Sequence, residues 1–292
     1  MKRLALLAVL LLAGCGSFGA PKPHTLSLAY KAGDTFKYKL HSTSKQTVTT
    51  NGMSIPLNFE ISANESIQVK SVDASGTADL AITLSDLAFK STMGGTTNTT
   101  TGLPAQTIDA QIGADGRLVS IGGNQLPSGT PLDALTGLGG GFFVSAVLPS
   151  NSVKPGDTWT KDYDQANPMG TGTTHIASKS TYLRDESLNG VNAAVVETKS
   201  TATIDMTFSD PAHSNPVAAS GMTIKGTLAT DVTTWIDPDR HRVMKTHSTA
   251  DDDATIELKT TAPPPSPTAP SAPQFTGPIT AKGQATTDLT PA

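Results

Sequence analysis

The chain has 292 residues, a net charge of −4, 16% charged and 5% aromatic residues, and one cysteine. Its length accommodates one large or two small domains, and an acidic balance with no basic patch excludes nucleic acid as a partner. Abundant Thr, Ser and Ala suit strands with hydroxylated solvent faces better than helices, which favour Glu, Lys and Leu.

The first element in chain order is a leader. Lys2 and Arg3 form a basic start, Leu4 to Leu12 an apolar run, and small residues precede Cys15. That is the layout of a secretory signal, and the run is too short to span a bilayer, which takes about 20 apolar residues. The tetrad Leu12-Ala13-Gly14-Cys15 resembles the lipobox of bacterial lipoproteins. The resemblance implies that residues 1–14 are removed and that the Cys15 thiol is acylated. Several acyl chains, each contributing about 0.8 kcal/mol per buried CH₂, then hold the protein on a membrane. With Cys15 acylated, no thiol remains for a disulfide, a nucleophile or a thiolate metal site. Gly16 stands where an inner-membrane-retained lipoprotein often has Asp, so the resemblance implies the outer membrane if the host is diderm. Residues 15–24, with Pro21 and Pro23, read as a tether.

From Thr25 the dominant signal is period-two alternation. Ile55, Leu57, Phe59, Ile61, Ala63, Ile67 and Val69 are apolar, with Asn58, Glu60, Ser62, Asn64 and Gln68 between them. Ala78 to Leu84, Ala194 to Phe208, Met222 to Ile236 and Met244 to Leu258 continue in the same way. Such patterning predicts half-buried antiparallel strands, the longest of about 15 residues or about 50 Å. Asn51-Gly52, Ser75-Gly76, Asp115-Gly116 and Asn189-Gly190 supply the positive φ of tight hairpins. The pattern breaks at 131–148, where Leu132, Leu135 and Leu138 have helical spacing and Phe142 to Leu148 is strongly apolar. That stretch is expected to be a short helical segment or lid.

An internal echo divides the chain. Lys31-Ala32-Gly33-Asp34-Thr35-Phe36 recurs as Lys154-Pro155-Gly156-Asp157-Thr158-Trp159, and Ile112-Gly113-Ala114-Asp115 as Ile236-Asp237-Pro238-Asp239. The two offsets, 154 − 31 and 236 − 112, differ by one residue. The expected organisation is one β repeat over 25–130, the apolar segment over 131–148, and a second β repeat over 149–260. A Pro-rich loop or linker over 261–276 follows, and 277–292 forms a last edge strand or a tail. The fold class is therefore all-β: a long antiparallel meander of about eleven strands in an open or closed barrel-like sheet. A lipidated chain with this layout resembles the LolA and LppX-type envelope lipoproteins over Thr25 to Leu258. The resemblance implies a curved open barrel with an apolar concave face.

Catalytic and metal motifs do not stand out. No nucleophile elbow, zinc helix, phosphate loop or dinucleotide turn occurs, so neither an enzyme nor a cofactor is expected. The histidines and Asp251-Asp252-Asp253 read as solvated, and Asp34 and Asp157 as turn residues with Phe36 and Trp159 as core anchors. What remains is the apolar parity face. Phe59, Ile61, Ile82, Phe142, Phe143, Ile204 and Ile224 are the candidate surface for an apolar ligand such as a lipid, since small inward residues leave volume between large ones. The alternative is a filled core in a structural or protein-interaction lipoprotein. The partners expected are the membrane, through acylated Cys15, and a lipid or apolar small molecule.

Overall fold

The computed structural model describes residues 23–122, 146–166, 171–208, 222–258 and 278–292. The alternating runs form strands, and no helix occurs among the described residues. The first half contains β1 (Thr35–Thr50), β2 (Met53–Val72), β3 (Ala78–Met93), β4 (Thr96–Leu103), β5 (Gln106–Ile112) and β6 (Leu118–Gly122). The second contains β7 (Thr158–Ala166), β8 (Thr171–Leu188), β9 (Val191–Phe208), β10 (Met222–Asp237) and β11 (Arg242–Leu258), with β12 (Ile279–Pro291) after them. All pair into one antiparallel sheet in the order β6-β5-β3-β2-β1-β12-β11-β10-β9-β8-β7, and β4 shares the edge of β3 with β5. The sheet curls into a nearly closed barrel. Its two edges, β6 and β7, approach where the Arg117 guanidinium lies 5.2 Å from the Tyr163 ring centre.

Residues 277–292 are not an edge strand, as the sequence suggested; β12 is the centre of the sheet, paired with β1 over twelve positions and with β11 over eleven. The reason is strand direction. β1 and β11 both run antiparallel to β12, hence parallel to one another, and only an intervening strand joins them in an all-antiparallel ladder. The expected helical segment lies outside the described residues up to residue 145. Ala146, Val147 and Leu148 are non-helical and buried.

The repeated Gly-Asp motifs build the same device twice. Gly33 N–H donates to the Val69 carbonyl and Val69 N–H to that of Asp34; Gly156 donates to Tyr182 and Tyr182 to Asp157 in the same way. Gly33 and Gly156 have φ of 91° and 95°, which a residue with a Cβ avoids. Just beyond each contact the partner strand is bulged, between Val69 and Ser71 and between Tyr182 and Arg184. Bulges bend strands and increase their twist, so both halves curl at equivalent points.

That end of the barrel is plugged. Leu26 and Leu28 cross it, with Leu28 N–H donating to Ala114 and Ala29 N–H to His241. They pack with Leu80, Leu148, Tyr182 and Ile236 in the largest apolar cluster, against which Phe36 and Trp159 lean. Asp237 closes the β10–β11 turn from inside. Burial alone would raise its pKa, but N–H donors of Arg240 and Asp239 and the Arg240 guanidinium lower it on balance.

On β12, Gly283 faces inward between Gln46 of β1 and Asp252 of β11. A Cβ built there collides with the Gln46 carboxamide and the Lys45 carbonyl. Gly283→Val is therefore expected to destabilise the protein by about 1–3 kcal/mol. Thr280→Val, on the exposed face of the same strand, should stay within about 0.5 kcal/mol. Urea unfolding midpoints measure both.

Candidate functional site

Alternation sends one set of side chains into the barrel and the other out. The outward positions of β1 are Lys37, Lys39, His41, Thr43, Lys45 and Thr47. A membrane-spanning barrel has the reverse arrangement, with an apolar outer band. Cross-strand pairs such as Lys199–Asp231 at 3.3 Å and Lys282–Asp253 at 3.2 Å lace this exterior. Being exposed, each contributes at most about 1 kcal/mol.

The inward set changes along the barrel. At the plugged end most of it is fully buried, with Phe36, Ile67 and Trp159 partly buried against the cluster. Further along it divides into two separate apolar walls. On β1–β3 and β5, Leu40, Ile61, Ala63, Leu84 and Ile108 form one wall, extended by Phe59 and Phe89 stacked at 5.7 Å. On β9–β11, Ile204, Ile224 and Ala254 form the other, extended by Met206, Leu228 and Ile256. At the far ends of the strands Ile55, Leu57, Phe59, Met206, Leu228 and Ile256 are only half-buried although they point inward. Side chains that face a barrel interior and stay partly solvated border unfilled space.

The candidate residues are thus divided. Phe59 and Ile61 lie on the first wall, Ile204 and Ile224 on the second, and Ile82 belongs to the plug-end core. Phe142, Phe143 and Cys15 lie outside the described residues. Two open depressions of about 590 and about 630 Å³ cross the middle of β7–β12, next to Lys161, Lys199, Asp231 and Asp252. None of the candidate residues borders either of them.

Between the walls runs a hydroxyl-rich band. Ser180 and Thr198 meet at 2.8 Å, Ser42 and Thr287 at 2.9 Å, and all four are buried. Within this band Gln46 Nε2 donates to Asp252 Oδ1 at 2.8 Å across Gly283. Burial raises the pKa of Asp252, the Gln46 hydrogen bond opposes the shift, and Asp251 and Asp253 add to it.

A second inward acid, Glu65, stands opposite Tyr38 and Leu84 and is 6% exposed. Burial pushes its pKa from 4.5 to about 7. Tyr38 beside it donates to the Val243 carbonyl at 2.7 Å. Among the described residues no group of three or more His, Cys, Asp or Glu is placed to hold a metal ion. His247 pairs with Asp288, and His175 with Asp164 and Asp162, at half-exposed outer positions. Trp235 is half-buried on the outside, under the Lys245 ammonium and donating to Glu186.

Sequence reading missed Gln46, Glu65 and Asp252 as interior groups. The signal was parity: Glu65 lies in step with Ala63 and Ile67, and Asp252 with Ala250 and Ala254.

The sequence matches no protein-family profile and no curated protein. Among solved structures, lipovitellin aligns over 90% of this chain at 11% identity with a TM-score of 0.48, and this chain spans 26% of its length. The hypothetical lipoprotein YmcC from Escherichia coli aligns over 83% of both chains at 12% identity with a TM-score of 0.27.

Proposed function

We propose that this protein is an extracytoplasmic lipoprotein, anchored in a membrane through acylated Cys15, whose barrel binds an apolar ligand such as a lipid. The observation that carries the binding reading is the change along the interior: one large packed cluster at the plugged end, then two apolar walls that do not merge, with inward Phe59, Leu57, Met206, Leu228 and Ile256 only half-buried. An alkyl chain laid between those walls completes their burial, at about 25 cal/mol per Å² of apolar surface removed from water. The task is binding rather than catalysis, and the interior acids, which cost stability, serve ligand choice. Anchoring rests on the leader, because acyl chains on Cys15 hold the barrel beside a membrane while its polar exterior stays in water.

Two measurements test these parts. Titration with a fluorescent fatty acid is expected to saturate, and Phe59→Asp with Ile224→Asp should weaken binding at least tenfold, because each places a charge on an apolar wall. Far-UV circular dichroism of the variant should remain β-type; no saturation in the wild type rejects the binding reading. Cys15→Ser should abolish metabolic labelling with palmitate, and labelling that persists rejects the anchor.

A further inference from the structure

Within the polar band between the two apolar walls, the surroundings of the Gln46–Asp252 pair are built rather than incidental. A single row crosses five strands inside the barrel: Leu228, Asp252, Gly283, Gln46 and Leu57 are successive cross-strand partners. The row is apolar at both ends and polar in the middle. The glycine lets the Gln46 and Asp252 side chains meet over β12, where any Cβ would collide with the carboxamide. The next inward positions along β11 and β12 are Ala250, Ala254, Ala281 and Ala285, so nothing large covers the pair from these two strands.

The hydrogen-bond accounting of this pair is unfinished. Gln46 is 5% exposed and spends its N–H donors on Asp252 and on Ser44 Oγ at 3.3 Å. Its carbonyl Oε1 has no partner, and neither does Asp252 Oδ2; both atoms are fully buried. Buried acceptors without donors cost about 1–3 kcal/mol each, more when charged. Two such acceptors on one hydrogen-bonded pair call for a donor from outside the pair. The sign of the local charge narrows the choice. Asp252 is flanked by Asp251 and Asp253, and Lys282 beside them is engaged by Asp253 on the outer face.

We infer that Asp252 and Gln46 form a head-group site for a primary ammonium, so that the ligand is an amine-bearing amphiphile whose alkyl chain lies along the apolar walls. This rests on the apolar-ligand reading above and adds the ligand's polar end. An R–NH₃⁺ group has three donors and no acceptor. It satisfies both orphaned oxygens and neutralises the carboxylate, whereas an alcohol brings one donor and a fatty acid brings a second negative charge.

Calorimetric titration of the full chain carrying Cys15→Ser tests this at pH 8 with decylamine, decanol, decanoate and ethylamine. Decylamine is expected to bind about tenfold or more tightly than decanol, the size of one charge-assisted hydrogen bond, with decanoate weaker still. Asp252→Asn should bring decylamine down to the decanol value and leave decanol unchanged. Asp253→Asn, on the outer face, should leave the preference intact. Gln46→Met offers a second route should Asp252→Asn fail to fold, and is expected to lower the preference several-fold. Equal affinity for decylamine and decanol overturns the head-group site while the apolar-ligand reading stands, and assigns the orphaned acceptors to ordered water. A preference that survives both inner substitutions, or ethylamine binding as tightly as decylamine, also overturns it. If no ten-carbon probe binds, the apolar-ligand reading falls first.

Discussion

Glu65→Gln is expected to stabilise the protein by about 3 kcal/mol at pH 8 and to leave its stability at pH 4 nearly unchanged. The carboxyl points into the barrel at 6% exposure, and the cause of its raised pKa is burial. Its pKa rises from 4.5 to about 7, and a carboxyl displaced that far resists ionisation by about 3 kcal/mol. The direction follows from proton counts. Between 4.5 and about 7 the folded chain keeps the proton that the unfolded chain has released, so stability falls as pH rises. Above that window the cost is constant; below it both states are protonated and the cost vanishes. The amide keeps the shape and never charges. Urea midpoints of wild type and Glu65→Gln should diverge from about pH 4.5 to about 7 and run parallel above. Parallel curves throughout would place Glu65 in contact with water. Asp237 acts in the opposite sense: its lowered pKa contributes stability at neutral pH that is lost as pH falls through the folded value. Subtracting the two curves removes that background.

Leu26→Ala combined with Leu28→Ala is expected to have the larger effect, a loss of about 4–10 kcal/mol. Both side chains are almost fully buried in the plug, at 0% and 3% exposure, and each truncation of this kind costs about 2–5 kcal/mol. The sum is comparable to the whole stability of a typical domain. These two residues tie the halves of the barrel together, because their segment bonds to Ala114 after β5 and to His241 after β10. Losing them should lower the urea midpoint and admit water to the closed end. His41→Ala, exposed on β1, is the control and should move stability by less than about 0.5 kcal/mol. A double variant within 1 kcal/mol of wild type would mean that the plug holds without its leucines.

Much of this architecture is legible in the chain because alternation reports which way a side chain faces, and the long runs report it repeatedly. Ile55 to Val69 alternates through one strand, and the Gly-Asp echo marks two strand starts that make the same hydrogen bonds. Alternation does not report which strands are neighbours. That is why the 277–292 segment reads as an edge although β12 is central: its position follows from the directions of β1 and β11, which are fixed more than two hundred residues apart. Nor does it divide an inward face into plug and walls. Ile82 and Ile61 have the same pattern, but the bonding of Leu26 to Leu28 across one end places Ile82 in the plug and Ile61 on a wall. Glu65 and Asp252 were legible by parity and obscured by residue type, since charged groups are expected to face water. Interior acids that break the apolar pattern mark the places where stability yields to another requirement.

The central claim is that the barrel interior holds an apolar ligand, and mass spectrometry of solvent extracts from the purified, non-acylated protein addresses it most directly. The expected result is a defined lipid or other amphiphile, recovered in stoichiometric amount from wild type and much reduced in Phe59→Asp with Ile224→Asp. Extracts with no such molecule, from a folded protein that also fails to take up added lipid, would contradict the claim and leave a scaffold with a filled core.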